Sequence, residues 1–379
     1  MDFDLTQEQR AIRDMVRAFA REELAPQAAE YDRTGLFPEP ILKRLAELDL
    51  FALPLPQAYG GLGGDTVSYA LAVEELAWAD ASVALTYAAH CSLGAGYLSR
   101  FGSHEQKACW LPLAARGEGL IAFGLTEPAS GSDAAHPQTR AERRGDGWLL
   151  NGSKAFITNA AHAAATVIMA ATRPGGGRGG VSAFLVPAGT PGFTVGAQYE
   201  KLGLRSCDTA PLYLQDVFLG PEALVGEEGR GYEQALDILD SGRIGIAALA
   251  VGVGQAALDR SLAYARNRTA FGQSLSRFQA IRFKLADMAT ELELARTAYL
   301  RAAWLKDQGR PYRREAAMAK LFASEAATRA ANTAIQIHGG LGYTREGVVE
   351  RYWRDVRLME IGEGTSEILR LVIAREIGA

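Results

Sequence analysis

Trp148-Leu149-Leu150-Asn151-Gly152 interrupts a chain that reads as helix on either side of it. Asn-Gly suits a tight hairpin because glycine accepts φ > 0, so the apolar run before it is expected to be a strand that turns at 151–152. Further strand candidates follow at Thr166–Ala171, Val181–Val186, Phe193–Val195 and Leu212–Phe218, parted by Gly/Pro turns. The loop Arg173-Pro174-Gly175-Gly176-Gly177-Arg178-Gly179-Gly180 has neither a Walker lysine nor GxGxxG spacing. It reads as a mobile hairpin loop joining two strands.

Outward from this region the period becomes helical. On the N-terminal side Thr6 and Gln9 have capping-box spacing, and Ile12, Val16 and Phe19 recur at helical intervals. Pro54, Pro56 and the run from Gly60 to Gly64 break the pattern before a second block through Glu74 and Trp78; Gly102 and Pro112 punctuate its end. On the C-terminal side Ile281, Leu285, Met288, Leu292, Ala295 and Tyr299 share one helix face, and a long alanine-rich run stops at His338-Gly339-Gly340. The order expected from period alone is helices (1–119), then a β domain (120–231), then long helices with short connections that make a bundle (232–379).

The bulk numbers exclude several classes of function. A net charge of −4 over 379 residues gives no electrostatic reason for a nucleic-acid partner. Cys91, Cys109 and Cys207 are widely spaced without a CxxC pair, and the five histidines lack ligand spacing, so neither a disulfide framework nor a metal site is expected. The start, Met1-Asp2-Phe3-Asp4, is acidic where a signal peptide is basic. The uncharged stretches Ala81–Ser99 and Ile244–Leu258 are too polar or too short to span a bilayer. A cytoplasmic protein with no membrane insertion is the reading.

Four motifs carry the chemistry: Thr126-Glu127-Pro128-Ala129-Ser130-Gly131-Ser132-Asp133, Lys154-Ala155-Phe156-Ile157-Thr158-Asn159, the segment from Arg268 to Gln279, and Gly362-Glu363-Gly364-Thr365-Ser366-Glu367-Ile368. In this order, and with Lys201-Leu202-Gly203, Leu239-Asp240-Ser241-Gly242-Arg243, Gln336-Ile337-His338-Gly339-Gly340 and Ile373-Ala374-Arg375 between and after them, the chain closely resembles the acyl-CoA dehydrogenase family of flavoproteins over nearly its whole length. The resemblance implies an α+β fold of an N-terminal helical domain (1–119), a middle antiparallel β domain (120–231) and a C-terminal four-helix bundle (232–379), with FAD as cofactor held between them. It also implies an acyl-CoA substrate, an electron-transferring flavoprotein as acceptor, and a homotetramer in which the His338–Gly340 region reaches a neighbouring subunit's FAD.

Taken alone, Glu363 is an acidic residue at a helix N-terminus, where the macrodipole favours it. The resemblance makes it the general base that removes the thioester α-proton, a task for a desolvated carboxylate whose pKa is raised toward the working pH. In one branch of the family the base precedes the turn arginine; here that position is Gly242, which cannot serve. The charge that develops on the thioester oxygen needs fixed donors. The family supplies them from the backbone N–H of the base and a ribityl hydroxyl of FAD, and the β-hydrogen leaves as hydride to the flavin.

The cofactor contacts implied by the resemblance are Phe123, Leu125, Thr126, Gly131 and Ser132 around the flavin and pyrophosphate, and Phe156, Ile157 and Thr158 against the ring. Arg268, Phe271, Gln279, Gln336, His338, Gly339 and Gly340 would lie on the phosphate and ribose side, with Thr365, Ser366 and Glu367 at a helix N-terminus suited to the pyrophosphate or adenine end. Ser132, Asp240, Arg243 and Gly364 would meet the substrate. On composition alone the small, hydroxyl-rich 123–132 stretch is a turn, and Arg268 or Arg243 a helix-surface arginine. Two positions depart from the family pattern: Phe156 stands where tryptophan is usual, and Gly362 where many relatives have tyrosine. The second opens space beside the acyl Cα and points to short or branched acyl groups. The alternatives are an acyl-CoA oxidase or acyl-carrier-protein dehydrogenase on the same scaffold, or a non-catalytic flavin- or CoA-binding protein.

Overall fold

The computed structural model describes residues 4–379; the start of the acidic segment, Met1–Phe3, lies outside the described residues. Thr6 accepts the Gln9 N–H while Gln9 accepts the Thr6 N–H, and this reciprocal cap opens α1 (Gln7–Phe19). Six more helices follow: α2 (Ala28–Thr34), α3 (Glu39–Glu47), α4 (Thr66–Ala79), α5 (Ala81–Ala88), α6 (Ala95–Phe101) and α7 (His104–Ala115). A π-helical stretch, Ala89–Gly94, joins α5 to α6. Pro112, expected to close the helical region, instead sits inside the last turn of α7.

Among the described residues, eight strands then form one sheet: β1 (Leu120–Gly124), β2 (Arg140–Arg144), β3 (Gly147–Thr158), β4 (Ala163–Ala171), β5 (Val181–Pro187), β6 (Phe193–Val195), β7 (Thr209–Leu219) and β8 (Leu224–Val225). Their order is β6-β7-β3-β2-β4-β5-β8, with β1 beside β4. Neighbours are antiparallel, except that β1 and β2 each run parallel to β4. The loop 173–180 joins β4 to β5, as expected.

The turn at Asn151-Gly152 is not there. Both residues lie within β3, and the β2–β3 hairpin closes at Gly145-Asp146, where Arg144 pairs with Gly147 and Gly145 has φ 62°. Gly152 serves a different need. A Cβ on it would lie 2.6 Å from Thr139 Cα, its φ is 149°, and the β3–β7 register shifts between Leu150 and Gly152. The glycine marks a bulge with a close backbone approach rather than a turn.

The last third holds α8 (Gly231–Asn267), a small hairpin of β9 (Thr269–Ala270) and β10 (Gln273–Ser274), then α9 (Gln279–Asp307), α10 (Arg313–His338), α11 (Val349–Val356) and α12 (Ser366–Glu376). The predicted α9 stripe faces inward: Met288, Leu292, Ala295 and Tyr299 are buried, with Ile281 and Leu285 packed on the same core. Gly339, with φ 59°, ends α10 after His338 as the sequence suggested.

The first and last thirds share one hydrophobic core. Val73 and Leu76 of α4 lie in the same buried cluster as Leu249 and Val253 of α8, Leu292 and Tyr299 of α9, and Ala323 and Ala327 of α10. The sheet has its own core around Trp148, Leu150, Phe184 and Leu212. A third cluster, with Tyr97, Leu111, Ile121 and Met169, seats one face of the sheet on α6 and α7. Among the described residues, no helix is long and apolar enough to cross a membrane.

Candidate active site

Glu363 stands in the short loop before α12, with φ 53°, followed by Gly364 with φ 101°. A left-handed glutamate costs about 1–3 kcal/mol, so the surroundings must hold it there. Thr365 caps α12 by accepting the Ile368 N–H at 3.3 Å. Lys320 of α10 donates from Nζ to the Gly364 carbonyl at 2.6 Å. The backbone on both sides of Gly364 is therefore fastened.

The glutamate as a residue is half-buried, but its Oε2 is fully buried and has no hydrogen-bond partner among the described residues. It lies over the bare Cα of Gly242 in α8: a Cβ built there would come within 2.2 Å of Oε2. Burial raises the carboxyl pKa to about 7, against the opposing pull of Lys320 and Arg243. A carboxylate in this state is poised to gain and lose a proton near neutrality.

Two further buried polar atoms at this end of the fold are unpartnered, Arg243 Nε and Ser366 Oγ. The Arg243 guanidinium is ion-paired to Asp240, which Arg313 also holds at 2.6 Å. The structure thus brings Glu363, Gly364, Asp240 and Arg243 together, with Thr365 and Ser366 beside them. Glu367 is exposed in the first turn of α12.

A second group lies at the ends of β1 and β3. The Ala155 N–H donates to the Thr126 carbonyl at 2.8 Å, which joins the 126–132 loop to β3. Beneath it Lys154 Nζ meets Glu127 Oε1 at 2.6 Å, both side chains being almost wholly buried. Glu127 also accepts the N–H groups of Gln138 and Thr139, at 2.6 and 3.1 Å. Burial lowers the Lys154 pKa to about 8, and Glu127 resists that shift. The loop is pinned from below, leaving Gly131 and Ser132 exposed.

Phe156 adopts φ 59° and keeps 63% of its surface exposed, its ring 4.8 Å from that of Tyr199. Thr158 is half-buried at the strand end, whereas Ile157 points into the sheet core and can offer only backbone. Phe123 stacks on Tyr97 at 5.7 Å, and Leu125 packs beside it.

The third group is separate within one chain. Arg268, His338, Gly339 and Gly340 line an open cleft of about 640 Å³ with Tyr264 and Leu275. The His338 ring stacks on Tyr264 at 4.3 Å, and burial lowers its pKa. Gln336 and Gln279 are exposed nearby in sequence, and Phe271 at the β9–β10 turn is 95% exposed. Among the described residues, no hydrogen bond or ring contact links this group to Phe156 or Glu363.

Sequence reasoning missed Lys320, Tyr199 and Leu93, whose Cδ2 meets the same Cβ position of Gly242 as the Glu363 carboxylate. Lys320 did leave a signal. It occupies the buried alanine face of α10 between Ala316 and Ala323, where a charge has no place without a partner.

Family models for the acyl-CoA dehydrogenase N-terminal, middle and C-terminal domains match residues 6–118, 122–217 and 229–378. The chain is 55% identical over 378 residues to a probable acyl-CoA dehydrogenase, YngJ, of Bacillus subtilis, each chain covered in full. It is 48% identical to the mitochondrial short-chain specific acyl-CoA dehydrogenase of Mus musculus, across 98% of this chain and 90% of that one. Its structure superposes on butyryl-CoA dehydrogenase from Megasphaera elsdenii with a TM-score of 0.97 at 41% identity, both chains covered in full. The chain belongs to the acyl-CoA dehydrogenase family.

Proposed function

We propose that this enzyme dehydrogenates a short acyl-CoA thioester between its α and β carbons, with Glu363 taking the α-proton. The observation that carries this is the Glu363 carboxylate itself: Oε2 is buried, unpartnered and pressed against Gly242 on a strained backbone. A purely structural glutamate would have its oxygens satisfied. The named relatives, short-chain specific and butyryl-CoA dehydrogenases, support a short acyl group.

The second hydrogen needs an acceptor that no side chain provides, and FAD supplies that chemistry when bound. The residues fit such a group. Phe156 offers an exposed ring on a rigid strand end, the open 126–132 loop offers backbone groups, and α12 presents N-terminal N–H groups beside the unpartnered Ser366 hydroxyl. Arg268, His338, Gly339 and Gly340 line one open cleft, with Phe271, Gln279 and Gln336 exposed close by in sequence, which supports the reading that a second copy completes the cofactor site in a homotetramer. An electron-transferring flavoprotein is the proposed acceptor.

The chain's own contribution is positional. Glu363 holds the proton-accepting oxygen at a left-handed turn, and its main-chain N–H is left free to face the thioester oxygen as charge develops there. Arg243, braced by Asp240 and Arg313, sets a fixed positive charge nearby. Burial of these groups keeps water from the carboxylate.

The purified protein should be yellow, with about one FAD per chain, and Glu363→Gln should keep the colour and bind acyl-CoA. Turnover should fall at least ~10²–10⁴-fold, the usual worth of a general base. Turnover retained within about a factor of 10 would move the role to another carboxylate, and a colourless protein that takes up no added FAD would end the cofactor assignment.

A further inference from the structure

Lys320 is buried completely, in the middle of an alanine face that α10 packs into the core. An ammonium there is costly unless something anionic or strongly accepting meets it. The hydrogen bond it makes is to the Gly364 carbonyl, one residue past Glu363, and three kinds of charged neighbour bear on it: Glu363, Arg243 and Glu360. Glu360 is already held by Arg357 at 2.5 Å. Glu363 is faced by Lys320 from α10, by Arg243 from α8 and by the buried Tyr69 hydroxyl from α4. The Arg243 charge is matched by Asp240, whereas no carboxylate forms an ion pair with Lys320 among the described residues. Lys320 is therefore the cation at this site whose charge is least compensated.

We propose that Lys320 is a positioning residue for Glu363: its ammonium fastens the Gly364 carbonyl, so holding the left-handed Glu363-Gly364 turn, and its charge keeps the neighbouring carboxylate in the proton-accepting form. The inference rests on Glu363 being the base. Two consecutive positive-φ residues form a spring that relaxes unless tied, and the tie comes from a helix far away in sequence. The charges agree with the geometry, since burial lowers the Lys320 pKa to about 8 and Glu363 opposes that shift.

Lys320→Gln keeps a hydrogen-bond donor and removes the charge; Lys320→Met removes both; Lys320→Arg keeps the charge. The readouts are the acid limb of the kcat/KM profile for a short acyl-CoA and the infrared titration of the Glu363 carboxyl, with Glu363→Gln as the blank. Loss of a cation disfavours the carboxylate, so in the Gln and Met variants both midpoints should move to higher pH, by about one unit or more. The loss should then be about tenfold greater at pH 6 than at pH 9. The Arg variant should keep its limb near the wild-type position. A uniform loss at every pH in the neutral variants, with unmoved midpoints, would overturn the proposal and leave Lys320 a packing residue; so would an Arg limb displaced as far as the Gln one. If the acid limb persists in Glu363→Gln, it is the base assignment that falls, and this inference with it.

Discussion

Gly242→Ala tests the site at its tightest contact. The new methyl would stand 2.2 Å from Glu363 Oε2 and 3.1 Å from Leu93 Cδ2. Ordinary contacts need about 3.5 Å or more, so the carboxylate must retreat by roughly 1 Å. The fold should survive, because the clashing atom is the far end of a rotatable side chain. Helix propensity also favours alanine over glycine by about 0.8–1 kcal/mol. The reacting oxygen, however, leaves its position, and a misplacement of about 1 Å is worth ~10²-fold in rate. We therefore expect normal melting and FAD content with a ~10²-fold slower proton-abstraction step. The assay is single-turnover bleaching of the bound flavin by a short acyl-CoA. A folded variant that bleaches within about threefold of wild type would show that the carboxylate does not act from its seat over Gly242.

Three other outcomes follow from the same geometry. The Glu363 carboxyl titrates near 7 in the fold against an ordinary 4.5, so the protonated form is the better accommodated. Its stability is complete below about pH 4.5 and drains away as pH rises through 7; Glu363→Gln should therefore gain on wild type between pH 5 and 8, by at most about 3 kcal/mol in chemical denaturation. A constant difference across that range would contradict the buried carboxylate. Lys154→Met strands the buried Glu127 and should cost about 3–5 kcal/mol with loosened FAD binding, read by melting and cofactor retention; an unchanged melt would mean the pair is not desolvated. Gly362 has ordinary contacts at 3.6 Å and no left-handed φ, so Gly362→Tyr should fold normally yet lose kcat/KM on branched short acyl-CoAs more than on straight ones, by about 5- to 150-fold. Equal losses on both would separate the position from acyl shape.

The order of helices, sheet and helices was legible because hydrophobic period changes near Leu120 and again after Gly231, and period is a local property. Caps were legible for the same reason, at Thr6, Thr365 and Gly339. The Asn151-Gly152 misreading has a physical cause: a bulge and a turn ask the same thing of the backbone, and only the neighbour Thr139 distinguishes them. Lys320 and Glu363 lie 43 positions apart on different elements, so their pairing has no sequence period to betray it. Glu363 itself was readable through resemblance alone, since an acidic residue before a helix is ordinary. The separation of Arg268 and His338 from Phe156 has no local signature either, and was readable only through the resemblance, which sends the His338–Gly340 region toward a neighbouring subunit.

The core shared by α4, α8 and α9 also governs how the chain is made. Val73 and Leu76 share their buried cluster with Val16 and Phe19 of α1, but the partners from α8 and α9, Leu249, Val253 and Tyr299, come only much later in synthesis. About 220 residues separate Ala79 from Tyr299, and at roughly 5–20 residues per second the side of α4 that meets α8 and α9 stays uncovered for roughly ten to forty-five seconds. During that interval the sheet, whose core is drawn from its own strands, can already close. The emerging polypeptide is thus folded in its middle before it is folded at its start. Shielding during translation is needed most by the first helices, and a fragment ending at the sheet leaves them exposed for good.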